Sequence, residues 1–236
     1  MTPSSPRSVP LSAAVIAGGA NSRMGSPKGL LEIAGKPLLT RVVDTLSVIS
    51  QDLICVTCRP DEYPFEYQRL RFVPDYRGVP QGPLSGIMGA LAATRHNLCV
   101  AVAVDMPFLS AELLRHLAQL ADGFDVVLPI IESDRPECLH AVYRKTCLAP
   151  GTEALNSGRR KVTSFFDTVR VRRVTAAELR AIDPELTSFE NINTPLDLAL
   201  ALSPQQREQN VVAGSEYPRR NTNRPESATA RRHRRP

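Results

Sequence analysis

The sequence predicts an α/β protein: a three-layer α/β/α sandwich in which helices cover both faces of a mostly parallel sheet. Three observations carry that expectation. Short continuous apolar runs such as "LSAAVIA" (11–17) and "LCVAVAV" (98–104) read as strands buried on both faces. Segments with helical apolar spacing, such as "KPLLTRVVDTLSVI" (36–49) and "AELLRHLAQLA" (111–121), alternate with those strands. The first strand also runs straight into a glycine-rich loop, "AGGANSRMG" (17–25), where a ligand-binding turn is expected in such a sheet.

Taken in order, residues 1–10 hold three prolines and three serines and read as a flexible arm. After the first strand and its loop, Pro37 suits the first turn of the 36–49 helix. "LICVTC" (53–58) and "RFVPD" (71–75) are the next strands, and "GPLSGIMGALAATR" reads as a helix opening at Gly82–Pro83. The strand "LCVAVAVDMP" is expected to end at Asp105, and Ser110 to cap the following helix, with Glu112 in its first turn. "DVVLPI" and "LHAVYR" form two strands around the turn "ESDRPE". "TVRVRRV" is a further strand, "AAELRAI" a short helix, and "TPLDLALAL" a closing helix capped by Thr194. Residues 11–202 thus make one domain of ordinary size.

The charge is unevenly placed. Eight arginines and three glutamates beyond Ala201 account for the whole net +5 of the chain, which leaves residues 1–202 with no net charge. Residues 203–236, rich in Arg, Pro, Asn and Ser, lack the apolar content for a core and are expected to be a disordered tail. Neither nucleic acid nor a membrane is an expected partner: the apolar runs are far too short to span a bilayer. The N-terminus has no secretory signal, so a cytoplasmic protein is expected. Cys55 and Cys58 form a CxxC, but the chain has no second one. Residues three apart on a strand also face opposite ways, so both are read as ordinary small side chains.

The chemistry concentrates in the first loop. Glycines allow close backbone approach, exposed N–H groups favour an anion, and Arg23 and Lys28 add full positive charges. The spacing fits neither G-x-G-x-x-G nor G-x-x-x-x-G-K-[ST], since Gly18 and Gly19 are adjacent and Lys28 stands three residues after Gly25. What remains is a longer, more basic loop suited to a triphosphate. Asp105, at the end of an apolar strand, is placed where ligands gather in parallel sheets and could hold Mg²⁺. On its own, an aspartate there could equally be a turn residue before Pro107.

"IAGGANSRMGSPKGLLEIAGKPLL", with "PDYRGVPQGPLSGI", "AVDMPFLS" and "FENINTPLDLALAL", resembles the MobA-like nucleotidyltransferases, and among them the molybdenum cofactor guanylyltransferases. The resemblance spans nearly all of 12–202, in the family's order. It implies a Rossmann-like nucleotidyltransferase fold, GTP and the molybdopterin cofactor as substrates, and Mg²⁺. By that resemblance Ile16, Ala17, Gly18, Gly19 and Gly82 contact the nucleotide, and Arg23 and Lys28 hold its phosphates. Asp75 takes the base or ribose, and Asp105 the metal; Arg23, Lys28 and Asp105 are the catalytic set. His140, Asn191 and Asn193 match positions near the acceptor site, though a histidine among apolar residues also reads as structural and the asparagines as turn residues. The family commonly has asparagine where "VTCR" places Cys58, with the arginine kept as Arg59.

Guanylyl transfer to molybdopterin is therefore the expected reaction. Transient contact with molybdenum-insertion proteins or recipient molybdoenzymes would accompany it. The alternatives are cytidylyl transfer from CTP to the same cofactor, or a non-catalytic GTP-binding protein of this fold. The adjacent Gly18–Gly19 favours the guanylyl branch over the cytidylyl one, which tends to have Ala-Gly there.

Overall fold

A computed structural model describes residues 9–18, 27–64, 67–132, 135–192 and Asp197. At its centre is β1 (Leu11–Ile16), all six residues of which are buried. It pairs in parallel with β4 (Asp52–Val56) on one side and β6 (Leu98–Ala103) on the other. The two faces of β1 supply two cores. Ala13 and Val15 pack with α1 (Leu38–Ser47) and α3 (Ala111–Gln119), whereas Ala14 and Ile16 pack with α2 (Pro83–Ala93) and α4 (Leu148–Asn156). Burial on both faces explains why the strand reads as an unbroken apolar run.

The sheet order is β10-β7-β9-β6-β1-β4-β5, with β5 at Leu70–Val73, β7 at Val126–Glu132, β9 at His140–Arg144 and β10 at Val171–Thr175. The two-residue β8 (Arg135–Pro136) pairs with β7. Four pairings are parallel, but β9 runs antiparallel to both β6 and β7, as expected for two strands joined around one turn. From β1 the chain builds outward through β4 and β5, then returns to lay β6 on the other side of β1. That reversal opens a crevice at the carboxyl ends of β1 and β6.

Local signals account for the helix starts. The Ser110 hydroxyl accepts the Leu113 N–H at 3.2 Å, and Thr175 forms a capping box with Glu178 at the start of α5 (Ala176–Arg180). Several elements differ from expectation. α4 and a 3-10 segment over Val162–Thr168 appear where no helix was read, because Pro150 and Gly151 look like breakers. Pro150 lies in the first turn of α4, where it is tolerated, and Gly151 is buried against Met88 of α2. A small hairpin, β2 (Glu32–Ile33) and β3 (Lys36–Pro37), turns through Ala34 and Gly35, both at positive φ. β6 ends at Ala103, so Asp105 stands two residues beyond it. Of the closing helix expected at 194–202 only Asp197 is described, in helical conformation; the tail at 203–236 and residues 1–8 of the arm lie outside the described residues. None of the helices among the described residues is long and apolar enough to cross a membrane.

Candidate active site

The crevice is a cleft of about 390 Å³ lined by Ile16, Ala17, Gly18, Pro27, Lys28, Asp75, Pro80, Gly82, Pro83, Ala103, Val104, Asp105 and Leu139. Every nucleotide-contacting residue expected from the sequence and lying among the described residues is on that wall. Gly19 and Arg23 lie outside the described residues, but Gly18 and Pro27, on either side of 19–26, both line the cleft.

Backbone pairing carries the strand ends into the site. Ala17 N–H donates to the Val56 carbonyl at 2.9 Å, and Val104 N–H to the Ile16 carbonyl at 3.2 Å. The loop residues flanking the cleft are thus extensions of the sheet, fixed before any ligand arrives. Lys28 sits in a 3-10 turn (Lys28–Leu30), and its Nζ lies 2.9 Å from Asp105 Oδ2. The Asp105 side chain is 17% exposed and Lys28 36%, so both ends of the pair remain reachable from solvent.

Asp75 follows β5 and is only 4% exposed. Burial raises its carboxyl above the ordinary value, against the opposing effect of nearby donors, with Cys58 first among them. Gly18 is needed beside it: a Cβ at that position would stand 2.9 Å from Asp75 Oδ2. Gly82, with φ +85° and ψ −174°, turns the chain into α2 in a conformation that other residues avoid. A side recess lined by Thr57, Cys58, Arg59, Glu62 and Tyr63 opens off the same wall at Ala17, Gly18 and Asp75.

The expected acceptor residues are placed differently. Ile192 N–H donates to the Asp105 carbonyl at 2.8 Å, which seats the "NIN" segment beside the cleft. Asn191 is exposed there and borders a second hollow with Arg135, Glu137 and Phe189, while Asn193 lies outside the described residues. His140 is fully buried, its ring centroid 4.2 Å from that of Phe189. Among the described residues neither of its ring nitrogens has a partner at hydrogen-bonding geometry, and burial pushes its pKa down to about 3, so the ring is neutral. It lies beneath the 187–192 segment and is not in the wall of the cleft.

Pro80, Ala103, Val104 and Leu139 line the cleft without having been singled out from the sequence. Leu139 reaches it because β9 pairs with β6, its carbonyl accepting the Ala103 N–H at 3.0 Å. No local pattern signals that. Pro80 could have been found in "VPQGP", a turn next to a residue already under suspicion.

A cleft at the switch point of a mostly parallel sheet, walled largely by apolar residues and glycines, with Lys28 on a short turn and two aspartates just past strand ends, defines a nucleotide-binding α/β enzyme. Residues 13–174 match the model of the MobA-like NTP transferase domain, and the chain belongs to that family, as a nucleotidyltransferase of the molybdenum cofactor guanylyltransferase group. A probable molybdenum cofactor guanylyltransferase from Pelotomaculum thermopropionicum is 36% identical over 187 residues, covering 79% of this chain and 89% of the relative. One from Methanosarcina acetivorans is 37% identical over 198 residues, covering 79% and 88%. Among solved structures, molybdopterin-guanine dinucleotide biosynthesis protein A from Archaeoglobus fulgidus superposes with a TM-score of 0.67 at 30% identity, covering 85% of this chain and 99% of that one.

Proposed function

We propose that the protein transfers GMP from GTP to the terminal phosphate of molybdenum-loaded molybdopterin, releasing pyrophosphate and forming the guanine dinucleotide. The observation that carries this reading is the convergence of Lys28, Asp75 and Asp105 on one cleft at the carboxyl ends of the strands. The names of the relatives supply the guanylyl specificity.

An acceptor phosphate is already anionic at neutral pH, so attack on the α-phosphorus needs no general base. The protein's task is alignment and offsetting charge. Without ligand, Lys28 and Asp105 neutralise each other. A triphosphate in the cleft would draw Lys28 Nζ to its oxygens, with Arg23 as the second cation, and so free the Asp105 carboxylate. Asp105 is then the residue that would hold Mg²⁺, which supplies Lewis-acid stabilisation of the charge on the leaving pyrophosphate. The donor set fits: Asp105 brings one carboxylate to the cleft wall, still partly open to solvent. A single carboxylate suits an ion that shares phosphate oxygens and keeps its waters.

Gly18 and Asp75 place the nucleoside, and Ile16, Ala17, Gly19 and Gly82 complete its bed. Asn191 and Asn193 would face the acceptor, with His140 acting through the segment packed over it. The product's chemistry implies a transient handover to a molybdenum-insertion protein or recipient molybdoenzyme. The test is nucleotide choice. Protein incubated with molybdenum-loaded molybdopterin should form the dinucleotide and pyrophosphate with GTP and far less with CTP. Efficient product with CTP alone would replace the guanylyl assignment, and turnover of neither would leave a non-catalytic binder.

A further inference from the structure

Of the five cysteines, Cys55, Cys99 and Cys147 are buried, Cys138 is half-buried, and Cys58 alone is exposed. Its Sγ lies 3.4 Å from Asp75 Oδ2 and 3.7 Å from the Gly78 carbonyl. An ionised carboxylate can only accept, so the thiol is the donor in the closer contact. Gly18 approaches the same carboxylate oxygen at a distance that leaves no room for a Cβ. The Ser85 hydroxyl and the backbone N–H of Asp75 also reach this nearly buried acid, with the thiol first among its donors, so on the recess side its orientation is bounded by a glycine backbone and a thiol.

Thiols are weak donors, and an ionised carboxylate offers about four acceptor directions. Asp75 thus keeps capacity for donors that a ligand brings, such as base N–H or ribose O–H groups. Cys58 lies in the recess shared by Gly18 and Asp75, so a ligand engaging Asp75 would lie over it.

We propose that Cys58 is a positioning residue of the nucleotide site: its S–H sets the orientation of the Asp75 carboxylate, and bound nucleotide covers the thiol. This rests on the assignment of the cleft to a nucleoside triphosphate. Its consequence is a division of labour. The donor at position 58 governs how tightly nucleotide binds, while the phosphate chemistry belongs to Lys28 and Asp105.

Two measurements test it. Wild-type protein is treated with N-ethylmaleimide at mildly alkaline pH, and the modified cysteines are identified by mass spectrometry with and without GTP and Mg²⁺. Cys58 should react first, GTP should slow its modification at least about fivefold, and the alkylated protein should lose GTP binding. In parallel, Cys58→Ala should raise KM for GTP about fivefold, the scale of one net hydrogen bond. Its kcat should stay within about twofold, and Cys58→Ser, which keeps a donor, should restore KM. Unchanged labelling in saturating GTP, a wild-type KM for Cys58→Ala, or a serine variant as poor as the alanine one would overturn the positioning role. Calorimetry on the wild type separates the two levels: if neither GTP nor CTP binds, the nucleotide assignment falls and this proposal with it. If GTP binds and turns over while the position 58 variants and labelling are unaffected, only the role of Cys58 falls.

Discussion

Two buried aspartates at opposite ends of the sheet show how the molecule divides stability from function. Asp52, at the start of β4, is 3% exposed, and Asp75, just past β5, is 4% exposed. Burial pushes both carboxyls up, yet the outcomes are opposite. Asp52 accepts from Ser12 Oγ at 2.6 Å, from Arg71 Nη2 at 2.7 Å and from the Arg95 N–H at 3.0 Å, and these donors bring its pKa below the ordinary value. Asp75 has a thiol, the Ser85 hydroxyl and its own N–H as donors and, among the described residues, no paired cation, and its pKa stays raised. At similar solvent exposure, the supply of donors and cations separates a carboxylate that is a structural anchor from one held ready for a ligand.

That contrast can be broken most directly at the functional end. Lys28→Ala should lower kcat/KM for GTP by about 100-fold or more, the cost of losing one positioned charge on a transferring phosphoryl group. Its thermal midpoint should hardly move, because the Lys28–Asp105 pair is still in reach of solvent and contributes little to stability. Wild-type turnover in this variant would mean that the cleft is not where the phosphates lie.

At the other end, Asp52→Ala should cost about 3–5 kcal/mol in denaturant unfolding, since it strands Arg71 and the Arg95 N–H. The folded fraction should retain its KM for GTP. The pH dependence follows from the direction of the shift. A depressed folded pKa contributes stability that is complete above the unfolded value of about 3.9 and lost as pH falls through the lower folded value. The variant should therefore show a flatter acid limb than wild type.

The smallest effect sharpens the comparison. Asp75→Asn should weaken GTP binding about tenfold, consistent with losing a charge-assisted hydrogen bond. Its stability at neutral pH should rise, because a raised carboxyl pKa means that folding favours the protonated form. The wild type loses that contribution as pH climbs from about 3.9 through the raised value, and the amide does not titrate. Denaturant midpoints at pH 4 and pH 7 would show it. A neutral-pH loss of stability as large as that of Asp52→Ala would make the two aspartates equivalent and remove the distinction.

Much of this was legible in the chain. The unbroken apolar runs "LSAAVIA" and "LCVAVAV" could only be strands covered on both faces, and Ser110 announced its helix through local capping chemistry. The described part of the glycine loop, with Lys28 and the strand-end Asp105, could be assembled because parallel sheets place such ends together. α4 was not legible: its Pro150 and Gly151 are tolerated only because one falls in a first turn and the other packs against Met88. His140 shows the opposite gap, since its residue type invites a functional reading and only its burial against Phe189 reveals a neutral ring inside the core.

By itself, the sequence determined most of the elements and the family, because strand periodicity, caps and turn chemistry act over a few residues and leave their mark in order along the chain. Tertiary structure alone decided which aspartate is satisfied, that Lys28 meets Asp105 across 77 positions, and that the Cys58 thiol, 17 positions from Asp75, rests against its carboxylate. Those facts depend on which donors a fold brings within about 3 Å of a buried charge. Hydrogen bonds and desolvation act through space over that range, and the chain passes through it in no sequential order.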